Sequence, residues 1–149
     1  TQVEIAKRMM QGQRTAEIIF DEPQKVWDYL YPETRSDDVE KVWVLCLDRK
    51  NRLIRAEPVT SGTATGSLVH PREIFRPAIR SGATAIILAH NHPSGDPTPS
   101  SADLRVTKKI YSASKTVDLE MHDHVVLGEL ENCPNKLGYF SFSDNGLLG

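Results

Sequence analysis

The chain has no excess of positive charge, almost no cysteine and no long apolar run, and each shortage removes a class of function. Its 149 residues carry 18 Lys and Arg against 20 Asp and Glu, a formal net charge of −2 and a sequence pI near 6.2. A domain with a broad nucleic-acid-binding surface is usually basic, so DNA is not the expected main partner. The two cysteines, Cys46 and Cys133, are too few for a disulfide framework. Cys46 lies inside an apolar stretch and reads as core packing. No apolar stretch approaches the roughly 20 residues of a membrane-spanning helix, and no signal-peptide pattern opens the chain. No membrane partner is therefore expected, and the default compartment is cytoplasmic. Internal repeats and low-complexity segments are also missing. What is present is an ordinary globular composition, 39% hydrophobic and 26% charged. The length suits one domain with a real core, expected over 1–149.

Residues 3–10 have a helical pattern, and 14–20 that of a short strand. Asp21 or Glu22 ahead of Pro23 makes a favourable helix start, with Val26, Tyr29 and Leu30 as its apolar face and 32–38 as a polar connector. Residues 42–47 are a strong strand, 48–52 a hairpin turn, and 53–59 the returning strand. The Gly- and Thr-rich stretch 61–66 reads as flexible. A helix is expected over 71–80 in spite of Pro77, ended by Gly82. Its Arg72, Arg76 and Arg80, spaced by four, read as a solvated face rather than a local basic patch. Residues 83–89 are an apolar strand. A helix follows with Val106, Ile110, Ala113 and Val117 as its apolar steps, then a strand over 123–128. Residues 137–142 are an edge strand or a C-terminal docking segment. Strands and helices mixed in this order give an α/β or α+β class and exclude a bundle or a barrel.

The chemistry concentrates at the end of the 83–89 strand, in HNHPSGDPTPSSAD over 90–103. The pattern is His-x-His, seven residues, then Ser-x-x-Asp. Catalytic zinc sites use three protein ligands and keep a fourth position for water, whereas structural zinc sites close all four. Strand side chains alternate faces, so His90 and His92 can reach one ion while Asn91 points elsewhere. Three prolines and a glycine in 93–99 turn the chain sharply. Ser100 or Ser101 then caps the next helix, which puts Asp103 in its first turn. Ser-x-x-Asp is also a capping-box-like pattern that occurs without any metal. Its coupling to His-x-His through a loop with no hydrophobic residue is what points to a metal.

His90-x-His92-x7-Ser100-x-x-Asp103 resembles the motif of the JAMM (JAB/MPN+) metalloprotease family. The longer form, His-Asn-His-Pro-Ser-Gly followed by Pro-Ser-x-x-Asp, is similar to the RadC branch. PREIFRPA at 71–78 and DHVV at 123–126 agree with it. The resemblance covers roughly residues 1–142 and implies an MPN/JAB-like (cytidine-deaminase-like) sandwich, a curved mixed β-sheet flanked by helices. It also implies Zn2+ held by His90, His92 and Asp103, a catalytic Glu on an early strand, and peptide or isopeptide hydrolysis. RadC proteins usually carry a helix-hairpin-helix segment ahead of this domain. None is seen in 1–149, which begins with Thr1 rather than Met, as a fragment would.

Two glutamates are candidates for the acid–base role, Glu40 and Glu73. Glu73 stands in the first turn of a helix, where the helix dipole alone accounts for a carboxylate. The resemblance favours Glu40, just before the 42–47 strand, and implies that Ser100 hydrogen-bonds the tetrahedral intermediate. Ser94 and Asn91 are weaker candidates for polar positioning. His122-x-His124 has no Ser-x-x-Asp partner and reads as structural hydrogen bonding near the site, and His70 as a loop histidine. The leading expectation is a zinc peptidase or isopeptidase acting on a peptide substrate. The alternatives are a DNA-repair-associated nuclease and a noncatalytic module that binds DNA or a replication partner. DNA binding by this domain alone should be weak and strongly salt-dependent. Tight, sequence-specific binding at physiological salt in a fluorescence-anisotropy titration would contradict that.

Overall fold

A computed structural model describes residues 18–35, 38–59 and 70–148. The helix expected over 3–10 and the Gly/Thr-rich 61–66 lie outside them. So does most of the strand expected over 14–20, of which Ile19 forms an isolated antiparallel bridge with Arg52. The helices are α1 (Pro23–Thr34), α2 (Pro71–Arg80) and α3 (Ser101–Thr116), with a 3-10 turn at Leu130–Asn132. The strands are β1 (Val42–Leu47), β2 (Leu53–Val59), β3 (Ala85–Asn91), β4 (Glu120–Leu127) and β5 (Tyr139–Ser141), in the sheet order β2-β1-β3-β4-β5. Every pairing is antiparallel except β3 with β4, which is parallel across the α3 connection. Among the described residues, this mixed five-stranded sheet with three helices is an α+β fold, as expected.

β1 and β3 sit at the centre because they can be buried on both faces. All thirteen of their residues are buried, whereas β2, at the edge, is half-exposed and tolerates Pro58. Alternation then splits the core into two. Val42, Val44 and Cys46 with Ile86 and Leu88 face Ile74, Phe75 and Ala78 of α2 and Ile110 of α3. Trp43, Leu45 and Leu47 with Ala85, Ile87 and Ala89 face Val26 and Leu30 of α1. Cys46 is core packing, and both cysteines are buried and free.

Three boundaries depart from the sequence pattern. The helix α1 runs through Pro32 to Thr34 instead of ending before a connector. A proline in the last turn removes only one backbone donor, and Thr34 is buried on the same face as Val26 and Leu30. β3 extends to Asn91, because pairing with β1 continues to Val42 opposite His90. The expected apolar steps of α3 hold through Ala113, with Ile110 in the core and Val106 and Ala113 packed against it, but the fully buried positions also include the polar Asp103, Thr107 and Ser114, and Val117 is the C-cap and 43% exposed.

β4 carries an irregularity that matters below. Met121 pairs with Ile86, but Asp123 pairs with Ile87 and His124 with Leu88, so His122 is an extra residue. One inserted residue reverses which side chains face which side. His124, not Asp123, thus joins the face carrying Leu88 and His90.

The loop after β3 is fastened to the end of β4. The Leu127 carbonyl accepts from His92 N–H at 2.9 Å, and the Gly95 carbonyl accepts from Glu129 N–H at 2.7 Å. Gly95 has φ +87°, which favours glycine. At Gly128 a Cβ would lie 2.3 Å from the Gly95 carbonyl oxygen and 2.7 Å from Pro97 Cδ, backbone and ring atoms that cannot swing away. Gly128→Ala should therefore cost about 1–3 kcal/mol in urea unfolding by overpacking, whereas an unchanged midpoint would mean that the loop moves freely.

Candidate metal centre

The end of β3 and the first turn of α3 meet over one small volume. His90 comes from β3, His92 from the residue after its end, and Asp103 from the third position of α3. His90 Nε2 lies 3.2 Å from Asp103 Oδ1, and His92 Nε2 lies 3.0 Å from Asp103 Oδ2. The two Nε2 atoms are 3.1 Å apart. Glu40, just before β1, reaches in from the side with Oε1 3.7 Å from His90 Nε2. Among the described residues these four are the one group of His, Cys, Asp and Glu side chains that could hold a metal ion, with ligand atoms all within 4.8 Å of one another.

The capping reading of Ser100-x-x-Asp103 and the metal reading describe the same atoms. The Ser100 hydroxyl accepts from Asp103 N–H at 3.0 Å, and Ser100 N–H donates to Asp103 Oδ2 at 2.8 Å, a complete capping box. The cap fixes the carboxylate in the pose that faces the imidazoles. Burial would push the Asp103 carboxyl up, but His90, His92 and the Ser100 N–H outweigh it and hold it well below the usual range. Burial likewise pulls His92 down, yet Asp103, the Asp96 carbonyl and Glu40 together raise it. The carboxylates thus favour positive charge at His92 Nε2. Its other nitrogen is committed, since Nδ1 lies 2.9 Å from the Asp96 carbonyl oxygen and must donate to it. Two imidazoles and two carboxylates converging with Nε2 atoms face to face are a donor set suited to a divalent cation.

Asn91 points away, as alternation requires. Its side chain accepts from Lys41 N–H at 2.6 Å and donates to the Val39 carbonyl at 3.2 Å, holding the backbone on both sides of Glu40. Glu73 is not brought to the group. Its carboxylate lies 3.5 Å from Arg72 and 3.7 Å from Arg76, and Arg72, Arg76 and Arg80 stay exposed on α2. Ser94 accepts from Asp96 N–H within the loop, and His70 caps α2 without a side-chain bond.

The second His-x-His divides. His122 bonds Asn51 Oδ1 at 2.9 Å, near the β1–β2 turn. His124 is buried behind His90, with Nε2 2.7 Å from His90 Nδ1. Its Nδ1 bonds Thr107 Oγ1, and its ring stacks on Phe142 at 4.6 Å. Burial, then the neighbouring His90, lowers the His124 pKa well below the ordinary value and keeps the ring neutral. Sequence pattern had no means of singling out Thr107, an unremarkable helical threonine.

A family profile described as RadC-like JAB domain matches residues 20–147. The chain belongs to the RadC-like JAB domain family. The UPF0758 protein of Symbiobacterium thermophilum is 45% identical over 126 residues, covering 85% of this chain and 51% of that protein. The UPF0758 protein of Pelobacter propionicus is 41% identical over 129 residues, covering 87% and 53%. That of Methanosarcina barkeri is 38% identical over 126 residues, covering 85% and 52%. The chain thus spans about half the length of the curated relatives it matches. No helix among the described residues of this RadC-like JAB domain is long and apolar enough to cross a membrane.

Metal content should follow the geometry. Purified protein should take up about one zinc per chain. His90→Ala and Asp103→Ala should lose most of it, and His122→Ala should keep it. Full occupancy in His90→Ala by atomic emission would overturn the assignment of this group.

Proposed function

We propose that this domain is a zinc-dependent hydrolase that cleaves peptide or isopeptide bonds. The observation that carries the reading is the donor set: two imidazole nitrogens and the Asp103 carboxylate converge, with a second carboxylate, Glu40, beside them. His90, His92 and Asp103 would hold the ion. When bound, zinc supplies Lewis acidity that makes water nucleophilic near neutral pH and polarises a carbonyl.

The rest is the work of the chain itself. Glu40 accepts the proton of the attacking water at its carboxylate and returns it to the departing amine nitrogen. The Asn91 amide holds Val39 and Lys41, so the Glu40 carboxylate is positioned through its backbone and remains available for the proton. The Ser100 hydroxyl accepts from Asp103 N–H and still has its own proton to donate to a developing oxyanion. Phosphodiester cleavage often uses two metals. One metal-capable group among the described residues favours amide hydrolysis, and the net charge of −2 favours a peptide over DNA as partner.

A peptide and isopeptide library screen would supply a substrate for the decisive comparison. Glu40→Gln should keep fold and zinc and lose roughly a hundredfold to ten-thousandfold in turnover. Glu73→Gln should stay active. An active Glu40→Gln beside a dead, zinc-loaded Glu73→Gln would move the general base to α2.

A further inference from the structure

We infer that Thr107 and His124 are positioning residues that set His90 in the one tautomer able to bind a metal, through a hydrogen-bond chain of fixed direction ending on the backbone of Asp103. The inference rests on the metal reading above and concerns residues that reading does not use.

The direction follows from the terminal group. Thr107 Oγ1 lies 2.7 Å from the carbonyl oxygen of Asp103. A carbonyl has no proton, so the threonine hydroxyl must supply it. That spends the only proton on Oγ1, which must then accept at its other contact, His124 Nδ1. His124 Nδ1 therefore carries a proton. A neutral imidazole has one donor nitrogen and one acceptor, so His124 Nε2 is the acceptor. Its partner, 2.7 Å away, is His90 Nδ1, which must donate. His90 is thereby held with Nδ1 protonated and with Nε2, the atom facing Asp103, His92 and Glu40, as the ligand position.

The fold is built to support this chain. Thr107 is 1% exposed and His124 2%, on the buried face of α3 and the inner face of β4. The extra residue in β4 turns His124 toward His90. Phe142, stacked on the His124 ring at an interplanar angle of 9°, fixes its plane. His92 reaches the same tautomer by a shorter route, donating from Nδ1 directly to the Asp96 carbonyl. Each imidazole is thus oriented by a backbone carbonyl, one directly and one through two side chains. Partners behind a metal-binding histidine typically matter ten- to a hundredfold in affinity.

The test is Thr107→Val, which keeps the shape and removes the hydroxyl, with Thr107→Ser as the conservative rescue. Zinc affinity is read by chelator competition, and the metal-free fold by circular dichroism. Thr107→Val should fold and bind zinc about ten- to a hundredfold more weakly, while Thr107→Ser stays near wild type. A folded Thr107→Val with wild-type affinity overturns the inference. If Thr107→Val does not fold, or if the wild-type protein takes up no zinc, which would sink the metal reading instead, nitrogen-15 NMR of the wild-type histidines decides. Protons on His124 Nδ1 and His90 Nδ1 with His124 Nε2 bare support the chain, and a proton on His124 Nε2 overturns it.

Discussion

The contact between the Asp103 carboxylate and the imidazoles of His90 and His92 is where two separate pieces of the molecule become one site. Oδ2 takes the Ser100 N–H and faces His92; Oδ1 faces His90. The first link belongs to the helix and would exist in any helix that starts with this capping box. The other two belong to the tertiary fold and exist only because α3 starts over the end of β3. A buried carboxylate needs such partners, since removing its charge from water is costly unless hydrogen bonds and opposite charge offset it. Asp103 is therefore bound to be a cap and a member of the cluster together.

From that point the supporting parts can be followed outward. The sheet places His90 opposite Val42, which brings the segment ahead of β1 alongside β3 and with it Glu40. Asn91, the residue between the two histidines, faces the other way and clasps the backbone around Glu40. The alternation that lets His90 and His92 share a target is the same alternation that frees Asn91 for this task. Behind His90, β4 and α3 supply His124 and Thr107, and the His90 ring thus lies between that polar pair and the cluster. The interior here is polar and hydrogen-bonded where an ordinary core would be apolar, and the buried face of α3 reflects it: Asp103, Thr107 and Ser114 with a single aliphatic, Ile110.

Much of this was legible in the chain. Strong apolar runs placed β1 and β3, the Asp48–Arg52 turn placed β2 as the hairpin partner of β1, and the spacing of His90, His92, Ser100 and Asp103 anticipated a shared locus. Misreadings arose where local pattern competes with packing. Pro32 reads as a helix stop, but burial of Thr34 beside Leu30 carries α1 past it. Val106, Ile110, Ala113 and Val117 read as a core stripe, and the first three do pack on the core, but Val117 ends exposed as the C-cap while the polar Asp103, Thr107 and Ser114 are buried. Glu40 and Glu73 were both open from residue chemistry; the structure brings Glu40 to the cluster and leaves Glu73 with Arg72 and Arg76.

The sequence by itself determined the elements and the list of polar groups that could meet, because periodicity, capping and strand alternation act over a few neighbouring residues. Only the tertiary structure decided which of those groups do meet. A one-residue irregularity in β4 sends His124 rather than Asp123 toward His90, and no local rule registers it, since a strand with an extra residue has the same composition as one without. The partner of His124, Thr107, lies 17 positions away on another element. Such pairings depend on sheet register and helix rotation, which are settled by the sum of many packing contacts across the whole domain.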